Sequence, residues 1–275
     1  MSIDIRVQQR AQEASWARSL ARVGTGRAQG FIVPLACLVV WEVVARAQIF
    51  PSYILPSFSA VLVTLWERLL TGELPAATFW SIVRVLGGFF IALGLAIPLG
   101  LVIGWSDRIS KLFNPVFETL RPIPPMAWIP LSVIWLGIGM KSVLFICFLG
   151  AFFPILVNTI HGVRSVDRKI IEYSRSLGAS TTEILFKVVI PSALPVSFVG
   201  MRIGLGVSWM TVVAAEMISV KYGLGYMIWK ARYSFETDGV IAGMVAIGLL
   251  SIFMTNGMVR LEDRLFHWRK SIVKG

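Results

Sequence analysis

The chain has 275 residues, 56% of them hydrophobic and only 15% charged, with a formal net charge of +11 and a mean hydropathy of +0.75. Soluble domains carry about a quarter charged residues, so the composition excludes an ordinary soluble enzyme or binding module. The apolar residues fall in runs near the ~20 that cross a bilayer core, and the basic excess reads as the loops of a membrane protein, not as a nucleic-acid surface.

In chain order, residues 1–30 read as a polar arm without the apolar core and cleavage site of a secretory signal peptide. A first span follows at Phe31–Ala45, extending as far as Phe50, with Glu42 inside it and pairing with a neighbour. The segment Pro51–Leu74 is too polar to span. Val61, Leu62, Leu65 and Leu69 recur at helical spacing there, with Glu67 and Arg68 opposite, which predicts an amphipathic helix at the outer interface.

The second span is Val85–Trp105. The third, Ile123–Gly137, is short and interrupted; Pro122, Pro124, Pro125 and Pro130 crowd it. Prolines at this density break a helix and free carbonyls, which is tolerated against protein or a wet cavity, so this run is either a pathway wall or a bent packing helix. Ser142–Ile160, Val196–Met217 and Val240–Val259 complete six spans, and 261–275 is a polar tail. Cys37 and Cys147 lie in apolar runs and read as buried thiols, without disulfide or metal spacing.

Most of the 26 Lys and Arg alternate by segment. The arm, the 106–122 loop, the 161–195 loop and the tail are rich in them; the intervening segments hold Arg46, Arg68, Arg84, Lys141, Lys221, Lys230 and Arg232. The positive-inside rule then places both termini and residues 161–195 in the cytoplasm.

Residues 161–195 carry the most specific pattern. Ser165 as N-cap would open a helix with Arg168–Leu177 as its body, Gly178 would end it in the left-handed conformation, and Ser180 with Glu183 would form a capping box for a second short helix that Pro191 stops. The result is a helical hairpin between two spans. Its residues Glu172-Tyr173-Ser174, three residues, Gly178, nine residues, then Val188-Val189-Ile190-Pro191 resemble the EAA loop of binding-protein-dependent ABC importer permeases. The spacing matches in full; Tyr173 and Ser174 stand where that pattern has alanines. Arg121–Gly139, Gly200–Met217 and Gly223–Arg232 are similar to the taurine, aliphatic sulfonate, nitrate and bicarbonate branch of the same permeases.

The resemblance implies an all-α, polytopic fold of six transmembrane helices, the type I ABC importer permease (MetI-like) fold. It implies a bacterial inner-membrane protein paired with a second permease copy, two ATP-binding cassette subunits and a periplasmic or lipid-anchored substrate-binding protein. ATP and Mg would be bound by the cassette subunits, with no cofactor in this chain and no nucleic acid. Glu172, Tyr173, Ser174, Gly178, Ala179 and Pro191 would meet the ATPase. By analogy with related importers, the fifth span would meet its mate along the central path, with Trp209 and Met210 as gate candidates, Thr211 as a donor to an anion, and Arg202 and Glu216 as the ionisable residues of that span. Glu216 is expected to pair with a basic group or a backbone donor near the outer mouth.

The cargo implied is a small anion, a sulfonate such as taurine first, with nitrate, bicarbonate or another small organic solute as alternatives. A self-sufficient secondary transporter is the rival class; it calls for inverted repeats and a charged relay at the midplane, which the sequence does not display. No phosphate-binding G-x-x-x-x-G-K-[ST] loop occurs. His161 and His267 have no metal-ligand spacing. Gly100–Gly104 and Gly200–Gly204 have the G-x-x-x-G spacing of close helix contacts, read first as packing within the chain and second as dimer contact.

Overall fold

A computed structural model describes residues 29–266; the arm before Gln29 and the tail after Phe266 lie outside the described residues. The described residues are mostly helical, with no strand among them. They divide into two units, up to Val63 and from Thr64 onward.

In the first unit, α1 (Gln29–Arg46) is an 18-residue apolar helix, about 27 Å long at 1.5 Å per residue. Glu42 pairs with Arg46 at 2.6 Å. Its carboxylate also accepts from the Ser59 backbone N–H at 3.0 Å and the Ser59 hydroxyl at 2.8 Å. Ser59 stands in the first turn of α2 (Phe58–Leu70), where exposed N–H groups favour a negative charge. The predicted amphipathic helix within Pro51–Leu74 is therefore present, starting about two turns later and ending about one turn earlier.

In the second unit, four helices are long and apolar enough to cross a membrane: α3 (Glu73–Trp105), α6 (Met140–Arg164), α8 (Thr181–Ser219) and α10 (Thr237–Leu265). They contain the predicted second, fourth, fifth and sixth spans and overrun them. The third span is different. A 3₁₀ turn at Pro125–Trp128 runs into α5 (Ile129–Leu136), and twelve apolar residues are too few to cross a core of about 30 Å. Pro125 and Pro130 sit in the opening turns of these two pieces, where a missing N–H costs nothing. They start helices there.

The 106–122 loop holds a helix of its own, α4 (Asp107–Leu120), capped by Ser106, whose hydroxyl accepts from the Ile109 N–H at 3.5 Å. Arg164 at the end of α6 donates to the Ser110 hydroxyl of α4.

The core is α6 with α3 and α8 packed against it. Glycines allow the close approach on both sides. A Cβ on Gly88, Gly100 or Gly104 of α3 would lie 2.5–2.7 Å from side-chain atoms of Cys147, Thr159 or Val163 on α6. On α8, Gly200 would strike Asn158 Cβ at 2.6 Å, and Gly204 the Ala151 carbonyl at 3.0 Å. Both G-x-x-x-G pairs thus serve packing within the chain. Cys147 is buried in this core, whereas Cys37 is exposed on α1, contrary to expectation. α9 (Leu224–Tyr233) packs against α10, α8 and α3.

Candidate functional site

The hairpin of 161–195 forms from local signals. Its first helix, α7 (Arg168–Ser176), is capped by Asp167, whose carboxylate accepts from the Lys169 N–H at 2.9 Å. Ser165 instead ends α6, its hydroxyl donating to the Gly162 carbonyl at 2.8 Å. The cap moves two residues because α6 runs on to Arg164 with Ser165 still in helical backbone, while Asp167 has the extended backbone of an N-cap. Gly178 has φ +86°. Its N–H reaches Arg175 O at 2.9 Å and the Ala179 N–H reaches Ser174 O at 3.0 Å, the paired bonds of a Schellman turn.

Ser180 and Glu183 form the expected capping box. Ser180 Oγ accepts from the Glu183 N–H at 3.3 Å, and Glu183 Oε2 accepts from the Ser180 N–H at 3.1 Å. Glu183 also holds Lys187 at 2.9 Å.

Pro191 does not stop the second helix. α8 continues through a π turn at Leu185–Val189, in which the Ile190 N–H donates to Leu185 O, one residue further back than in an α-helix. In an unbroken α register the Pro191 ring would clash with the carbonyl four residues earlier; the wider turn relieves this, so the hairpin's second arm is the foot of the long helix. Ile170, Tyr173 and Leu177 share the outer face of α7 at helical spacing and are 49%, 68% and 88% exposed. Glu172 is exposed too, while Ile171 and Ala179 pack inward on Val163, Ile184 and Val189. Ser174 is half-buried and Pro191 exposed.

A second constellation was hidden in the sequence. Arg84, counted among outer-segment cations, lies inside α3 and is fully buried, as is Glu216 of α8; they pair at 2.5 Å. Ser81 donates to the same carboxylate at 2.8 Å and accepts from the Leu224 N–H at 2.9 Å. Gly225 N–H donates to Glu216 Oε2 at 2.9 Å, and Arg84 donates to Tyr222 O at 2.9 Å while standing 4.5 Å above the Tyr222 ring. Glu216 therefore has both a basic and a backbone partner, as expected. The available signal was helical continuity: residues 76–86 contain no Pro or Gly at which a loop could hold Arg84.

The remaining span residues separate by face. Trp209 and Thr211 are buried within the chain; the Thr211 hydroxyl donates to Ser208 O at 3.1 Å, and Ser208 donates to Cys147 O on α6 at 2.9 Å. Met210 is 66% exposed. Arg202 is half-exposed and pairs with Glu262 of α10 at 3.7 Å. Of the five span residues singled out, only Met210 and Arg202 present surface.

Next to them is an open cavity of about 280 Å³. Arg121, Ile123 and Pro125 line it from the segment before α5, Gly150, Pro154 and Asn158 from α6, and Ile203 and Val207 from α8. Arg121 and Asn158 were not singled out from the sequence. Among the described residues no group of three His, Cys, Asp or Glu side chains could hold a metal ion.

The family described as "Binding-protein-dependent transport system inner membrane component" matches residues 96–267. A putative ABC transporter permease of Methanocaldococcus jannaschii is 45% identical over 86% of this chain and 91% of its own. The taurine transport system permease TauC of Escherichia coli is 36% identical over 99% of this chain and 100% of its own. Among solved structures, a chain of the MetNI methionine ABC transporter in an inward-facing conformation is similar in fold, with TM-score 0.58 and 18% identity over 70% of this chain and 97% of its own.

Proposed function

The chain belongs to the family of binding-protein-dependent transport system inner membrane components, and from that premise we propose that it forms half of the path by which an ATP-driven importer moves a small sulfonate, taurine first, into the cell. The carrying observation is the hairpin: three apolar side chains stand out on α7 beside a left-handed Gly178, a surface that is costly to leave in water and suited to a groove on a partner. The sulfonate cargo is supported by likeness to a taurine permease along the whole chain.

In this reading two copies pair, and each hairpin docks on a cassette subunit that binds ATP and Mg. Glu172, Tyr173, Ser174, Gly178, Ala179 and Pro191 form or shape that contact. An external binding protein delivers the solute. The hairpin and both termini are cytoplasmic in this reading, which the Lys and Arg distribution supports. ATP binding draws the hairpins together, and because the hairpin's second arm is the foot of α8, the motion passes into the helix carrying Arg202 and Met210 at the path. Trp209, Thr211 and Glu216 hold that helix against α6 and α3 from behind. Partner binding energy thus biases a two-state element.

The test is uptake of labelled taurine into proteoliposomes holding the permease with its cassette subunits and binding protein. Uptake that needs ATP and all components is expected. Uptake by the permease alone would place it with secondary transporters. ATP-driven uptake of nitrate but not taurine would reassign the cargo and keep the class.

A further inference from the structure

We propose that Arg121 is the anion-holding residue of a solute subsite in the cavity between the Arg121–Pro125 segment, α6 and α8, an assignment that rests on the transport reading above. Arg121 is fixed at the end of α4, its N–H donating to Phe117 O at 2.9 Å, and the Ile123 N–H closes the next turn on Leu120 O at 3.1 Å. This lets it line a cavity whose other walls come from the middle of two membrane-length helices, Gly150–Asn158 of α6 and Ile203–Val207 of α8.

Three arginines of the apolar helices are paired: Arg46 with Glu42, Arg84 with Glu216, and Arg202 with Glu262. Arg121 has no hydrogen-bond or ion-pair partner for its guanidinium among the described residues, and no carboxylate lines its cavity. Its polar neighbour Asn158 uses one amide N–H on Pro154 O at 2.8 Å, which leaves the other for a ligand. The remaining wall is apolar: Ile123, Phe153, Val157 and Val207.

One planar, five-donor cation beside an apolar wall selects an oxyanion with two or more oxygens, which it grips in bidentate fashion. The volume of about 280 Å³ lies below the range of about 300–1,000 Å³ of pockets for drug-sized ligands, so the solute is small. A sulfonate with a short chain meets both conditions: the head on Arg121, the methylenes on the apolar wall.

The decisive experiment measures ATP-driven taurine uptake and binding-protein-stimulated ATP hydrolysis in the same reconstituted assembly, for the wild type, Arg121→Gln and Arg121→Lys. A charged hydrogen bond is worth about 1.5–3 kcal/mol, so Arg121→Gln is expected to lower uptake about tenfold or more while ATP hydrolysis stays within about twofold. Arg121→Lys keeps the charge without the bidentate fork and is expected between the two. Wild-type uptake by Arg121→Gln overturns the subsite and leaves the transport reading standing. Full activity of Arg121→Lys with a dead Arg121→Gln makes Arg121 a cation at the lipid headgroups and also overturns it. Parallel loss of uptake and hydrolysis, with reduced protein in the membrane, assigns Arg121 to folding instead. A wild-type assembly that moves no anion removes the transport reading itself.

Discussion

Arg84 of α3 and Glu216 of α8 lie 132 residues apart in sequence and 2.5 Å apart in space, both shut away from the surface. Around them the Tyr222–Gly225 turn is tied down by two backbone N–H groups and one carbonyl. The pair therefore fixes two things at once: the spacing of two long helices and the entry into α9.

Breaking one side of a buried ion pair costs about 3–5 kcal/mol, because the other charge is left uncompensated. Arg84→Met and Glu216→Leu are each expected to reduce the amount of folded protein and its melting temperature in detergent. The double variant is expected to recover part of the loss, as buried pairs replaced together by apolar residues often do. A double variant worse than the sum of the singles would mean that the pair does more than neutralise itself.

Gly223 lies against the same carboxylate. Its φ is +121°, and a Cβ there would lie 2.5 Å from the Glu216 carboxyl carbon and oxygens. Gly223→Ala is expected to destabilise about as much as loss of Glu216, whereas Gly206→Ala, with nothing within 4 Å of its added Cβ, is expected to be near neutral. Thermal unfolding of the two purified proteins compares them directly.

Gly178 is a different case. It is left-handed at φ +86°, but open space surrounds it. The cost of Gly178→Ala is then backbone strain alone, about 1–2 kcal/mol, and Gly178→Asn is expected to be milder because Asn accepts this conformation. Neither change touches a span. Both proteins are expected to insert normally, with uptake falling in the order glycine, asparagine, alanine.

The capping box has its own readout. Ser180→Ala removes the acceptor for the Glu183 N–H and is expected to cost about 1 kcal/mol. Faster amide exchange confined to the first turn of α8, residues 181–186, is the expected signature. Exchange that spreads into the apolar part of α8 would mean that the π turn does not insulate the hairpin from the span.

Leu177 is 88% exposed and Tyr173 68%, so alanine at either should leave the melting temperature unchanged. Both are expected to weaken co-purification of the cassette subunits and to lower uptake per ATP hydrolysed. Unchanged co-purification in the double variant would show that the outer face of α7 is not the docking surface.

The amino-acid sequence by itself determined whatever depends on neighbours along the chain. The membrane-length helices, the amphipathic helix after the first span, the left-handed Gly178 and the Ser180–Glu183 box follow from apolar run length, helical spacing and capping, which act over a few residues. Even there, Asp167 displaced Ser165 and the π turn carried the helix past Pro191, because how far a neighbouring helix extends is a packing outcome. Tertiary structure alone decided what the polar residues of the spans are for. Periodicity shows that a face exists, but not which helix covers it. Trp209, Thr211 and Glu216 therefore turned inward, Arg202 met Glu262, Arg84 left the outer loops for the core, and Arg121 came to face a cavity. Each of those partners stands dozens to more than a hundred residues away, and only the folded bundle brings them together.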